Sequence, residues 1–420
     1  MKLAYLLSEY PTIAHAYLLR EVRGLKALGW DIATVSIRPP DRRWEQLLEE
    51  ERQEARRTFY VLQRPLGEIL WAHCKTLLRR PAGYFSALWL ALRLGGCHPR
   101  RLLYALAYFT EAVVAGRWMW SQGIEHFHSH YTSTIGLLIT RLFELSMSTS
   151  VHGPAEFVDP QGFLLAEKIE ASVFVRAISY FGRSQMMQVT PYRLWGRLEV
   201  VPLGIDLQTY RPAPFRESPE PFELSCVGRL AAVKGHGVLL AAVAALLQQG
   251  RRLRLRLIGD GPEREAIEAR IRELRLEEAV ILEGWKNQAE VRKLYERADA
   301  FVLASFAEGV PVVLMEAMAM QIACIASRIT GIPELIRDGV EGLLVTPSDE
   351  EELAAAIARL MDDPALRRRL GEAARRRIEE KYNLPRNLEQ LSRVFARRLQ
   401  VQRAARSQSP EHPAVVPGVA

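Results

Sequence analysis

Short apolar runs alternate with helix-length amphipathic stretches along most of this chain, and that alternation restricts it to the α/β class with parallel sheets. The first unit reads as a strand near Lys2–Ser8, a helix over Ala16–Leu28 closed by Gly29, and a strand over Asp31–Ile37. A glycine just past the last helical turn is the usual stop before a parallel strand. The rhythm breaks between about Pro40 and Gln122, where a long helical stretch rich in Arg, Leu, Trp and Tyr intervenes. It resumes at Ile124–His128, with a helix near Ser133–Leu145 and strands near Ser148–His152 and Leu198–Pro202. Pro202, Pro212, Pro214, Pro219 and Pro221 then mark a linker. A second unit follows: a strand in FELSCVGRL, a helix over Val238–Gln249, a strand in LRLRLIGDG, and strands at Val280–Glu283, Ala300–Leu303, Cys324–Ser327 and Gly342–Val345. Pro364 is placed to open a helix, where its missing N–H costs nothing.

The expected organisation is two Rossmann-like domains facing a central cleft. The first spans 1–205, with a helical insertion at about 41–122, and the second spans 206–384. A helix over 385–405 crosses back to the first domain, and a proline-rich tail over 406–420 is expected to be disordered. Each domain is long enough to bury its own core, and the cleft between them is where a small ligand would sit. The formal charge of +7 argues for an anionic partner, but its sign alone does not choose between nucleic acid, anionic lipid and nucleotide phosphates. Four cysteines, with no C-x-x-C pair, read as reduced thiols of a cytoplasmic protein rather than a disulfide or zinc framework. The opening MKLAYLL is too short for a signal peptide's apolar region, and no stretch is long enough to span a bilayer, so the chain is expected to be soluble or peripheral.

The sharpest motif is Glu308-Gly-Val-Pro-Val-Val-Leu-Met-Glu316-Ala-Met-Ala, directly after an apolar strand. Gly309, Val310, Pro311 and Val312 form a loop opening a helix, whose amide groups and positive dipole end favour a diphosphate. The flanking carboxylates can accept hydrogen bonds from sugar hydroxyls; helix-dipole complementation alone accounts for either Glu but poorly for both. Gly228-Arg229 and Lys234 follow another strand, where two cations can neutralise a departing nucleoside diphosphate; a solvated surface pair is the bland alternative.

The pattern E-G-x-P-x-x-x-x-E-A-M-A resembles the paired-glutamate motif of glycosyltransferase family 4, a retaining family of GT-B fold, as represented by bacterial exopolysaccharide and colanic-acid-type enzymes. Val227-Gly228-Arg229-Leu230 with Lys234-Gly235, Leu257-Ile-Gly-Asp-Gly-Pro262, Gly331-Ile-Pro-Glu334 and Gly339-x-x-Gly342 resemble further family segments in the expected order. The resemblance implies that Glu308 positions a hexose, Glu316 a ribose, and that Arg229, Lys234 and the helix near Glu316 neutralise the diphosphate. No D-x-D occurs, so no metal and no cofactor beyond the nucleotide sugar is expected.

In the first domain, Ser150-Val-His152-Gly153-Pro154 resembles the family's strand end whose histidine faces the donor; a satisfied core histidine is the alternative. His126, His128 and His130 alternate along a strand end and share one face, as a metal site requires, but packing or acceptor contact is the preferred reading. Tyr10, Pro11 and His15, with His130, are acceptor-side candidates: Tyr10-Pro11 and Glu21 fit the Y-P-x-x-S-E-T-F-x-x-x-E of polysaccharide-assembling relatives, whereas Ala14-His15-Ala16 departs from it. The insertion carries Arg79, Arg80, Arg93, Arg100, Arg101 and Arg117 among Tyr84, Trp89, Tyr104, Tyr108, Trp118 and Trp120, which suits a bilayer headgroup region or, equally, helices packed on the sheet.

The implied function is hexose transfer, with retention, from a nucleotide-diphosphate sugar to a glycan or polyprenyl-linked acceptor in surface polysaccharide synthesis, at the cytoplasmic face of an anionic membrane and without a nucleic-acid partner. The alternatives are a nucleotide-sugar epimerase or phosphorylase of the same fold, or a non-catalytic scaffold. Glu316 and Lys234 are both expected to act on the donor without anchoring a core.

Overall fold

The computed structural model describes residues 2–13, 15–153 and 155–407; the tail expected over 406–420 lies outside the described residues from position 408. Two wholly parallel sheets organise the chain. The first contains β1 (Lys2–Glu9), β2 (Asp31–Arg38), β3 (Phe59–Tyr60), β4 (His126–His130), β5 (Ser146–Val151), β6 (Ser172–Ala177) and β7 (Leu198–Val200), in the order β3-β2-β1-β4-β5-β6-β7. The second contains β8 (Phe222–Val227), β9 (Leu253–Ile258), β10 (Val280–Gly284), β11 (Ala300–Leu303), β12 (Ala323–Ser327) and β13 (Leu343–Val345), in the order β10-β9-β8-β11-β12-β13. Strand order in each sheet reverses beside its first strand, between β1 and β4 and between β8 and β11, and ligands of such sheets sit at the carboxyl ends of those strands.

Period-two alternation divides the first sheet's burial between its faces. Ala4, Leu6, Val35, Phe127 and Met147 pack under the inserted helices through Phe109, Ala112 and Val113, and under helix Ser133–Phe143 through Ile139. Leu3, Tyr5, Leu7 and Phe174 pack on the other face against Leu18, Val22 and Leu25, and against Leu391 and Phe395 of the final helix, Leu384–Ser407. That helix is tied down by Trp30 Nε1 donating to Ser392 Oγ at 2.8 Å and by Gln390 donating to the Val200 carbonyl at 3.1 Å. It therefore belongs physically to the first domain.

The insertion folds as helices Glu49–Arg57, Leu66–Arg79, Pro81–Gly95 and Pro99–Ser121, the last two opened by a proline. It is not purely helical, because Phe59–Tyr60 adds edge strand β3. The chain between His152 and Leu198 holds strand β6 and helices Leu165–Ala171 and Tyr180–Val189, none of which the sequence reading anticipated. Among the described residues no helix is long and apolar enough to cross a membrane.

Candidate active site

The carboxyl ends of the two sheets face each other across a cleft of about 580 Å³. On the second-domain wall, β8 ends at Val227 and delivers Gly228 and Arg229, after which a short turn over Ala232–Lys234 carries Lys234 back over the strand end. Gly235 closes that turn at φ 64°, and a Cβ there would stand 2.1 Å from the Ala304 carbonyl, so only glycine lets the turn seat on the end of β11. Lys234 Nζ donates to Glu308 Oε1 at 2.6 Å, and Ser305 Oγ donates to the same oxygen at 2.7 Å. The Glu308 carbonyl accepts from Thr330 Oγ1 at 2.5 Å. Arg229 is exposed at the cleft wall and forms no ion pair among the described residues. Gly309, Val310 and Pro311 then lead into helix Val312–Ala319, whose first turn has no side-chain cap and opens on the cleft.

Glu316 lines the cleft one turn into that helix and is buried. Tyr210 Oη donates to its Oε1 at 2.6 Å, Tyr295 Oη lies 3.5 Å from Oε2, and Arg20 Nη1 of the first domain lies 4.0 Å from Oε1. Burial pushes the carboxyl up, against the Arg20 charge and the Tyr210 hydrogen bond. Arg20 also donates to Gln288 Oε1 at 2.6 Å, so helix Ala16–Ala27 is bound to the second domain through this cluster. The expectation that Glu316 anchors no core is therefore corrected: its carboxylate ties the core residues Tyr210 and Tyr295 to Arg20 of the first domain, because burial forces it to recruit partners.

On the first-domain wall, His152 follows the end of β5 and is stacked on Tyr131 with ring centroids 4.9 Å apart. Its Nε2 is 2.7 Å from His130 Nδ1 and its Nδ1 is 3.3 Å from Tyr17 Oη. His130 Nε2 in turn lies 3.4 Å from Glu21 Oε1. A carboxylate there favours the proton on His130 Nε2, which makes His130 Nδ1 the acceptor for His152 Nε2–H and leaves His152 Nδ1 to accept from Tyr17. Burial and the neighbouring His130 and Arg176 hold the His152 ring neutral, well below the usual histidine range. The donor-facing histidine expected here thus keeps one position, Nδ1, that could exchange its Tyr17 contact for a ligand. His15 also reaches the cleft, stacked on Tyr131 at 4.3 Å, its ring lowered to about 4 by burial and His130.

The remaining acceptor-side candidates are corrected. Tyr10 is 1 % exposed, its hydroxyl 3.5 Å from Glu54 and its carbonyl accepting from Tyr60 Oη at 3.0 Å; it and the buried Pro11 lie outside the cleft lining, in the contact between β1 and the insertion. His130 stands behind His152 rather than in the wall. Glu21 is buried between Tyr5 Oη at 2.9 Å and Arg176 Nη1 at 2.5 Å. Glu21, His128 and His130 bring one ligand atom each within 4.8 Å of one another. Yet Arg176 already neutralises Glu21, and both ring nitrogens of His128 lie on serine hydroxyls, Ser148 at 2.7 Å and Ser150 at 2.8 Å. His126 repeats the arrangement on Ser146 and Ser148, each at 2.8 Å, giving a histidine–serine ladder between β4 and β5.

The cleft also contains Tyr17, Tyr131, Asp41, Trp285 and Gln288, which the sequence reading did not select. Tyr17, one helical turn before Glu21, carried a usable signal. Asp41 Oδ2 accepts from Thr12 Oγ1 at 2.8 Å and from the Ile13 amide at 3.0 Å, shaping the loop that presents His15.

Residues 211–377 match the glycosyl transferases group 1 family. The provisionally assigned colanic acid biosynthesis glycosyltransferase WcaL of Salmonella typhimurium is 26 % identical over 383 residues, covering 85 % of this chain and 90 % of that protein. The amylovoran biosynthesis glycosyltransferase AmsK of Erwinia amylovora is 33 % identical over 207 residues, 48 % of this chain and 51 % of AmsK. The crystal structure of Anabaena Alr3699/HepE in complex with UDP superposes with a TM-score of 0.69 at 17 % identity, covering 94 % of this chain and all (100 %) of that one. Sucrose-phosphate synthase of Thermosynechococcus elongatus superposes with a TM-score of 0.74 at 20 % identity, covering 96 % and 100 %. These two structures share the GT-B architecture with this chain.

Proposed function

We propose that this chain, a group 1 glycosyltransferase acting in polysaccharide biosynthesis, transfers a hexose with retention from a nucleoside-diphosphate sugar to a glycan acceptor carried on a lipid. The observation that carries the donor half of this reading is the Lys234–Glu308 contact of 2.6 Å, beside the uncapped start of helix Val312–Ala319. A cation, a free arginine at position 229 and open helix amides supply charge compensation where a diphosphate would depart, while Glu308 accepts sugar hydroxyls. As the bond from the anomeric carbon to the diphosphate oxygen breaks, the acceptor hydroxyl oxygen bonds to that carbon from the same face. The acceptor proton passes to the departing phosphate oxygen. Glu316 would meet the ribose at the cost of its Tyr210 or Tyr295 contact. No metal or further cofactor is required by this charge balance.

Incubation with a panel of nucleotide sugars, scoring slow hydrolysis and the anomer released, tests the reading. An α-linked donor releasing α-hexose, undiminished by EDTA, is the expected result. Release of the opposite anomer would overturn retention, and loss with EDTA restored by manganese would overturn the metal-free balance. The relatives' polysaccharide names and the apolar, arginine-studded outer face of the insertion support an acceptor held at the cytoplasmic face of an anionic membrane.

A further inference from the structure

A second cavity of about 250 Å³ opens in the first domain beside the donor cleft, with Tyr131 in the walls of both. Its floor holds Lys168, from helix Leu165–Ala171, only 4 % exposed. The Lys168 ammonium makes no hydrogen bond or ion pair among the described residues, and its Nζ lies 5.8 Å from the centroid of the Phe163 ring. Glu156 faces the same space without closing an ion pair to it. Burial lowers the Lys168 ammonium to about 8 against the opposing Glu156 charge, and raises the Glu156 carboxyl to about 7 against Lys168. An ammonium on a nearly buried side chain, with three donors and no protein acceptor, is costly to hold charged, and such groups cluster at ligand sites. The cavity is also lined by the start of helix Ser133–Phe143, an 11-residue helix whose N-cap residue Thr132 makes no side-chain cap. Thr132 Oγ1 is instead spent on the Leu6 carbonyl at 3.0 Å. Uncapped first-turn amides and Lys168 thus converge on one volume, flanked by the half-exposed rings of Tyr108 and Phe163.

We infer that this side pocket is an acceptor subsite for a sugar residue bearing an anionic group, with the anion on Lys168 and the first turn of helix Ser133–Phe143, and the ring between Tyr108, Tyr131 and Phe163. The inference rests on the glycosyl-transfer reading only in taking the occupant to be part of the acceptor. Tyr131 stacks on His152, and Gly153 of the pocket wall follows His152 in the chain, so an occupant extends directly toward the donor cleft. The anion has two possible sources, a phosphate linking the sugar to its carrier or a carboxylate on an acidic sugar, and the same donors recognise either.

Isothermal titration of the full chain with glucose 1-phosphate, glucuronate and glucose, each in the presence of excess UDP, tests the pocket. Either charged sugar, or both, is expected to bind while glucose does not. A preference for glucose 1-phosphate assigns a phosphate linkage, and one for glucuronate assigns an acidic sugar. Lys168→Met is expected to weaken that binding by roughly ten-fold or more, and Lys168→Arg to restore it. If Lys168→Met does not fold, Thr134→Phe, which fills the pocket from a half-buried position, is expected to abolish the same binding. Equal binding of glucose, or charged-sugar affinity unchanged in Lys168→Met or Thr134→Phe, overturns the inference. Titration with UDP alone is separate: its failure counts against the donor reading and leaves the charged-sugar result to decide the pocket.

Discussion

A methyl group placed on Gly309 would stand 2.0 Å from the carbonyl oxygen of His152, so the loop of the second domain that opens the donor helix touches the strand end of the first domain backbone to backbone. Gly331 packs behind it, where a Cβ would lie 2.5 Å from the Gly309 carbonyl. The cleft is therefore set to width by absent side chains. Gly309→Ala is expected to hold the walls apart and lower turnover by about 10²-fold, since a displacement near 1 Å at reacting groups costs that much. Each domain core is untouched, so the thermal transition should move little. Turnover within a few-fold of wild type would show that the contact does not set the reactive geometry.

Lys234→Met removes the cation nearest the expected diphosphate while leaving Glu308 held by Ser305. The expected loss is about 2–4 kcal/mol of transition-state stabilisation, read as a fall in kcat at saturating donor. A change confined to KM would assign Lys234 to ground-state binding instead. Glu316→Ala differs, because it strips Tyr210, Tyr295 and Arg20 of their shared acceptor, and it is expected to lower the melting temperature together with activity.

The second domain was the more legible of the two. Strand Ala300–Leu303 and the Glu308–Glu316 motif could be placed because glycine and proline punctuate short apolar strands and uncapped helices there. In the first domain the decisive partners are remote in sequence. Glu21 meets Arg176, and the histidines of β4 meet serines of β5, through strand order that no local pattern encodes. Tyr10 looked like a loop residue facing a ligand, yet the insertion covers it with Glu54 and Tyr60. Strand β6 escaped because SVFVRA is short and follows its helix without a break.

Glu334 spans the domains by accepting from the amides of Tyr180 at 2.8 Å and Phe181 at 2.6 Å, at the start of helix Tyr180–Val189. Hydrogen bonds to a charged group contribute about 1.5–3 kcal/mol each, with half-exposed ones toward the lower end. Glu334→Ala is expected to loosen closure, raising KM for the nucleotide sugar and speeding proteolysis of the linker around residues 212–221, while Glu334→Gln retains part of the contact. Unchanged KM and unchanged cleavage would remove closure from its role.

Acid should weaken the fold through histidines. Burial lowers His15 and His236 to about 4, and lowers His73, His128, His130 and His152 as well. Their folded values lie below the unfolded value, so the unfolded chain binds more protons and stability declines as pH falls from about 6.5 toward 4. Glu111 and Glu156, raised to about 7 by burial, act in the opposite sense, losing their contribution as pH rises through that value, but they are outnumbered. The urea midpoint is expected to be highest near and above pH 7 and to fall below 6.5, less steeply in His15→Gln. A midpoint that rises on acidification would reverse the assignment.

The outer face of the insertion makes the last prediction. Lys75 lies 4.0 Å from the Trp71 ring centroid, Arg117 lies over both Trp71 at 5.0 Å and Trp120 at 5.8 Å, and Arg79 lies 5.7 Å over Trp120. This ladder of cations and indoles runs across helices Leu66–Arg79 and Pro99–Ser121, next to Leu66 and Leu78, which are 71 % and 82 % exposed. Exposed apolar side chains among cations and indoles suit the boundary between headgroups and acyl chains. Not every arginine of the insertion is free for this role: Arg80 is paired with Glu144 and donates to the Phe143 carbonyl at 3.3 Å, anchoring the insertion to helix Ser133–Phe143. Each available basic residue contributes on the order of 1 kcal/mol near an anionic leaflet, less as salt rises. The protein is therefore expected to co-sediment with anionic vesicles at low salt and to dissociate at high salt. Arg79→Gln with Arg117→Gln should shift that salt dependence, Trp71→Ala with Leu78→Ala should weaken binding at every salt concentration, and Arg80→Gln should lower stability instead. Wild-type protein left in the supernatant at low salt would make the insertion a packed subdomain and a soluble acceptor the better reading.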